Sequence, residues 1–422
     1  MMKTLTRFSL AALAACLLFA CNKPDVQTAP NRRVVIMYAA AFSNLSDSIA
    51  EDVRELCDGD IPFVGSGDVL LVYSHHTARG RDYNTPTSPV LFRAYRDMDG
   101  KQHRDTLAVY PSSDISSSPE VLNKVLTQVK ESFPARSYGL VFSSHARGWL
   151  PVNYYDNTSS GDVWSSPASL APMLYGPRRI GNSQRNEYPM TKWLGIEYPL
   201  ESSGIDIRDL ADAIPMDLDF FLMDACLMGC VEVAYELREK CKYVVFSPTE
   251  ILSNGFIYTL MASRLLNVAE PDLLQICTDY MDFYNAQSGW YQAATVTMVD
   301  CSEIEPLAKA CAEIIAAHPD GVAGADRNAV QHYYYNNYSD TLPWFYDLRD
   351  MMEKAGATAS EMDRLDAALS SCVLYAGATP KFFDLKLERV CGLSMYLPYP
   401  DKEELNSYYK TLSWNKATGL IQ

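Results

Sequence analysis

The chain has 422 residues, 48% of them hydrophobic, and a formal net charge of −16. That length and apolar share suit one large core, or one core with a smaller lobe, and argue against a disordered chain. The negative charge repels a phosphate backbone, so nucleic acid is excluded as a partner, whereas a cationic peptide is attracted.

A basic start (Lys3, Arg7) passes into an apolar run over residues 8–20 and ends at Leu18-Phe19-Ala20-Cys21. This reads as a bacterial lipoprotein signal peptide covering residues 1–20, after which Cys21 carries the acyl chains. The run is shorter than the roughly 20 residues that span a bilayer, and Asn22, Lys23 and Asp25 follow at once. A permanent transmembrane helix is therefore not expected. The alternative is an ordinary secretory signal in which Cys21 is incidental. Residues 21–32 form a tether, and the expected location is the bacterial cell envelope, lipid-anchored, either periplasmic or surface-exposed. Of eleven cysteines, Cys16 leaves with the signal and Cys21 takes lipid. The odd remainder, irregularly spaced, points to buried free thiols rather than a disulfide framework.

The first strand is expected at residues 34–39, and Ile49, Val53 and Leu56 recur at helical spacing over 46–56. Further strands are expected at 68–73, 90–95 and 106–110. Ser118 as N-cap with Pro119 at the first helical position starts a helix running to about residue 133. Three largely apolar strands follow, at 138–143, 218–223 and 242–247, with a helix over 231–240 joining the last two. Such strands, alternating with amphipathic helices, specify an α/β architecture with a mainly parallel sheet covered on both faces. Residues 151–204 are rich in Ser, Gly, Pro, Asn and Tyr and show neither period, the mark of a long functional or mobile loop. Beyond residue 256 the pattern turns helical (256–266, 272–284, 302–318), with strands expected at 293–299 and 392–398.

Two strand ends carry candidate chemistry: Ser143-Ser144-His145-Ala146-Arg147-Gly148-Trp149 and Met223-Asp224-Ala225-Cys226-Leu227-Met228-Gly229. A thiol becomes a strong nucleophile once a base takes its proton, and an imidazole can take it and later return one to a leaving amine. His145 and Cys226 could do this if their strands are neighbours, which sequence order alone does not establish. A helix beginning just after Cys226 would favour the thiolate through its dipole. Asp224, two residues before Cys226, points to the same face of an extended strand; its competing reading is an N-cap for the next helix. His75-His76 point to opposite sides of an extended chain and suit no shared metal, so they read as loop histidines and no metal site is expected. The aromatics Tyr333-Tyr334-Tyr335, Tyr338 and Trp344-Phe345-Tyr346 fit packing, a substrate groove or a sugar-binding surface.

These motifs resemble the clostripain family of cysteine peptidases, in the clan that includes caspases and gingipains. Asp224-Ala225-Cys226-Leu227-Met228 is similar to the family's nucleophile motif, and His145 with Gly148-Trp149 to its histidine motif. Similar text runs through residues 231–235, Ser247, Tyr346-Asp347-Leu348 and Gly392-Leu393-Ser394, so the resemblance covers roughly 33–400. It implies a caspase-like sandwich over 33–255, with 151–204 as a long loop, and a mixed, mostly helical region over 256–422 that completes or flanks the sheet. The implied reaction is hydrolysis after Arg or Lys of a peptide substrate, by a His145/Cys226 dyad. The N–H groups of Ala146 and Cys226 would form the oxyanion hole, with Asp224, and less directly Glu250, receiving the basic side chain. Glu250 otherwise reads as a solvated loop carboxylate.

By the same resemblance calcium is a possible cofactor and cleavage between the two motifs a possible maturation step; Arg178, Arg179 and Arg185 are of the residue type the pocket would accept, the alternative being a surface insertion with incidental arginines. One position departs: the family has glycine where this chain has Ala146, and a Cβ there matters if the backbone needs a positive φ. Two other readings stay open, a catalytically weakened lipoprotein that keeps the fold as a binding module, and a carbohydrate-capturing surface protein resting on the aromatic cluster.

Overall fold

Strand β1 (Asn31–Ala40) is buried without interruption from Arg33 to Ala40, as a strand covered on both faces must be. In the computed structural model it lies inside a nine-stranded sheet. The model describes residues 30–152 apart from 44 and 79–84, together with Tyr154, Pro189, Thr191, Lys192, 204–333 and 342–422. Around β1 stand β2 (Asp68–His75), β3 (Val90–Arg96), β4 (Gln102–Val109), β5 (Ala135–Ser143), β6 (Leu218–Asp224), β7 (Cys241–Phe246), β8 (Thr295–Asp300) and β9 (Val373–Ala378). Their order is β9-β8-β7-β6-β5-β1-β2-β3-β4.

The five inner strands, β7-β6-β5-β1-β2, run parallel. The outer pairs are antiparallel on both sides. The sheet is thus mainly parallel at its centre, as its apolar strands require. Helices α1 (Ser46–Asp58), α2 (Pro119–Ser132), α3 (Ile207–Leu210), α4 (Val231–Glu236), α5 (Tyr258–Leu265), α6 (Leu273–Asn285), α7 (Ile304–Ala317) and α8 (Ala359–Cys372) flank it. The expected cap is present: Ser118 accepts from Val121 N at 3.3 Å. Residues 31–422 form one compact unit, to whose sheet β8 and β9, from beyond residue 256, belong.

Three expectations change. The helix expected over 231–240 stops at Glu236, and residues 237–240 form turns leading into β7. The late strand contracts to Ser394–Met395, which pairs with Tyr346–Asp347. His75 is no loop histidine: it ends β2, is buried, and its Nδ1 meets Ser116 Oγ at 2.6 Å.

The described part of the aromatic cluster is core. Tyr333, Trp344, Phe345 and Tyr346 are all buried. Phe345 and Tyr396 pack their rings 6.3 and 4.6 Å from Trp149, the residue after Gly148. Tyr333, Trp344, Phe345 and Tyr346 therefore offer no exposed aromatic surface for a sugar; Tyr334, Tyr335 and Tyr338 lie outside the described residues. The nine cysteines among the described residues are free thiols, eight of them buried.

Candidate active site

Strands β5 and β6 are parallel neighbours, with Ser143 opposite Asp224. His145 and Cys226 each stand two residues beyond that pair, so the register brings both to the carboxyl edge of the sheet, where open α/β sheets gather ligands. Side chains alternate across a strand. Met223 and Ala225 accordingly line an apolar cavity of about 100 Å³ that also touches His145, while Asp224 and Cys226 share the other face.

The two loops lock together. Leu227, directly after Cys226, adopts φ 62, a left-handed conformation costly for a branched side chain. Gly148 has φ +60, and a Cβ there would lie 2.5 Å from both Leu227 O and the Phe345 ring. Ala146 is not among the non-glycine residues with positive φ, so its Cβ imposes no strain of the kind the missing glycine raised.

Cys226 is fully buried and His145 is 9% exposed. Cys226 Sγ accepts from Ile251 N at 3.1 Å. Burial pushes its thiol pKa well above the usual value and the Glu250 charge pushes it further, against the opposing Ile251 hydrogen bond. Burial likewise draws His145 down to about 3; a hydrogen bond with the Lys192 backbone opposes this, and the Lys192 and Arg147 charges add to it. Both groups are therefore neutral in this form. The helix expected to favour the thiolate begins only at Val231 and has six residues; burial outweighs any help from it.

Asp224 is not a helix cap. Its carboxylate, fully buried, accepts from Tyr258 Oη at 2.6 Å and Ser143 Oγ at 3.2 Å and forms an ion pair with Lys192 Nζ. The same ammonium reaches Asp52 Oδ2 and Ser143 Oγ, each at 3.1 Å. Burial alone would lower the Lys192 pKa, but Asp224 and Asp52 more than offset it and hold the ammonium above its usual value. The Lys192 backbone is bound like an added strand: its N donates to Ile251 O at 2.7 Å, and Thr191 forms an antiparallel bridge with Leu252. Gly255 borders this pocket with φ +62, and a Cβ there would sit 2.6 Å from Asp224 Oδ2 and 2.9 Å from Lys192 Nζ.

Glu250 is fully buried rather than solvated, and its charge acts on the Cys226 thiol. The carboxylates at the Lys192 ammonium are Asp224 and Asp52. Sequence reading missed Asp52, Ser143, Lys192, Gly255 and Tyr258. Only Asp52 carried a visible signal, as a carboxylate at helical spacing from Ile49 and Leu56 on the apolar stripe of α1. Cys21, Arg178, Arg179 and Arg185 lie outside the described residues. Among the described residues, no cluster of three or more His, Cys, Asp or Glu is arranged to hold a metal ion, and no helix is long and apolar enough to cross a membrane.

The model of the clostripain family matches residues 180–419, more than half of the chain. Clostripain of Hathewaya histolytica is 22% identical over 251 residues, which are 56% of this chain and 42% of that protein. The chain thus spans about two fifths of the length of this curated relative. The X-ray structure of an inactive zymogen C11 protease from Parabacteroides distasonis superposes with a TM-score of 0.71 at 25% identity, over 92% of this chain and 99% of that one. A secreted C11 cysteine protease from Bacteroides thetaiotaomicron gives a TM-score of 0.70 at 21% identity, with 92% and 99% covered.

Proposed function

This chain belongs to the clostripain family, and we propose that it is a cysteine endopeptidase cutting after lysine or arginine, held by its own Lys192 in a self-blocked form. The observation that carries this reading is the seating of Lys192. Its backbone lies antiparallel to 251–252, as an extended substrate adds to a strand edge, and hydrogen-bonds with His145. Its side chain enters the acidic pocket around Asp224, two residues before Cys226. Lys192 thereby occupies the place of the residue whose carbonyl is attacked. The relative from Parabacteroides distasonis was crystallised as an inactive zymogen, and the neutral, buried dyad of this chain suits the same resting role.

In the reaction, His145 takes the Cys226 proton and the thiolate attacks the carbonyl carbon. The N–H groups of Ala146 and Cys226 hold the oxyanion. As the C–N bond breaks, His145 returns the proton to the leaving amine, and water then cleaves the thioester. Removal of the Lys192 segment uncovers both groups, so burial no longer holds the thiol protonated and the imidazole neutral. The ordinary φ of Ala146 favours a working oxyanion hole over a weakened binding module. The lipoprotein-type start ending in Cys21 supports attachment to an envelope membrane, and the relative described as secreted supports export.

The test is turnover of paired reporter peptides with Lys, Arg or Asp at P1. Lys and Arg peptides should be cut and the Asp peptide spared, while Cys226→Ala and His145→Ala each lose roughly a thousandfold or more, because the two act as a unit. Near-wild-type turnover by either variant would remove the dyad assignment.

A further inference from the structure

The core-facing stripe of α1 contains Ile49, Asp52, Val53 and Leu56. Asp52 is only 3% exposed, and a buried carboxylate on an apolar helix face is strongly unfavourable unless a cation meets it. Among the described residues, the cation paired with it is Lys192, at 3.1 Å. That cation belongs to the segment proposed to leave the pocket, so Asp52 is maintained opposite a charge that comes and goes. Asp224 Oδ1, buried beside it, has no hydrogen-bond partner among the described residues.

We infer that Asp52 is a second carboxylate of the P1 pocket and makes the enzyme select lysine over arginine, an inference that rests on the peptidase reading above. An ammonium has three N–H donors on one compact nitrogen, and here three side chains receive them: Asp224 Oδ2, Asp52 Oδ2 and Ser143 Oγ. The close approach of the Gly255 backbone bounds the pocket on another side. The wider, planar guanidinium must fit a space closed around a single nitrogen. Asp224 Oδ1 remains available to it, so the outcome is a preference and not an exclusion. Burial raises the Asp52 carboxyl pKa; Lys192 opposes the rise, while Asp224 and Glu55 add to it.

The experiment measures kcat/KM of the processed enzyme on two peptides differing only in Lys or Arg at P1. Wild type should favour lysine by about tenfold or more. Asp52→Asn should bring the ratio to within about threefold, mainly by raising KM for the lysine peptide. Equal or faster cutting of the arginine peptide by wild type would overturn the inference, as would an Asp52→Asn variant that slows both peptides alike. Should Asp52→Asn fail to fold, Lys192→Arg poses the same question with Asp52 intact. Its self-cleavage, followed by intact mass, should slow by about tenfold, and an unchanged rate would refute lysine selection. Failure of wild type to cut either peptide would instead sink the peptidase reading, and this inference with it.

Discussion

At Gly148 a hydrogen stands where any other residue would place a Cβ against Leu227 O and the Phe345 ring, at a positive φ besides. Gly148→Ala should therefore destabilise the fold by roughly 1–3 kcal/mol through strain and overpacking, read from denaturant unfolding, and should displace the Cys226 loop enough to lower turnover. Stability and turnover equal to wild type would show that the two loops are not locked through this contact. At this scale the sequence was legible where chemistry is concentrated in short motifs: the segments carrying His145 and Cys226 are recognisable, and β5 and β6 bring them to one edge. It was not legible where the partner is distant. Asp52, Ser143 and Lys192 meet across separations that no local pattern records, and Lys192 lies in an aperiodic stretch where arginines drew attention instead.

Helix α4 follows the Cys226 loop and carries Glu232, fully buried, whose Oε1 accepts from Tyr396 N at 2.9 Å and Tyr409 Oη at 2.6 Å. This carboxyl ties the loop that holds the thiol to the C-terminal segment. Burial raises its pKa from 4.5 to about 7, against the Tyr409 and Tyr396 hydrogen bonds; Cys230, Tyr396 and Tyr409 are the titratable or polar groups that face it. A carboxyl raised on folding favours the folded state only while protonated, so its contribution is lost as pH climbs from about 4.5 to about 7. The upper bound is about 3 kcal/mol. Glu232→Gln should remove this slope: the variant gains stability relative to wild type between pH 4.5 and 7.5, measured by urea unfolding, and parallel pH curves would contradict the assignment. Such elements were readable in part. The central strands declared themselves by unbroken apolar runs, and the Ser118 cap by its own chemistry. The end of α4 at Glu236 and the two-residue Ser394–Met395 ladder were not readable, because tertiary pairing rather than local propensity sets their limits.

Over the whole molecule, a mainly parallel sheet places two reactive strand ends side by side, and the chain between them returns to fill the site they form. Residues far apart in sequence share one pocket: Asp52 from α1, Ser143 from β5, Asp224 from β6 and Lys192 from the long insertion. The mainly parallel architecture was legible from alternating apolar strands and helices, whereas the antiparallel outer pairs were not, since strand order depends on contacts that periodicity does not encode. The central claim is that Lys192 sits as the enzyme's own P1 residue. Intact-mass and N-terminal analysis of purified wild-type and Cys226→Ala chains after incubation tests it most directly. Wild type alone should yield a fragment ending at Lys192 and a new N-terminus at Trp193, with peptide turnover rising as the fragments accumulate. A wild-type chain that stays whole while fully active, or the same cut appearing in Cys226→Ala, would contradict it.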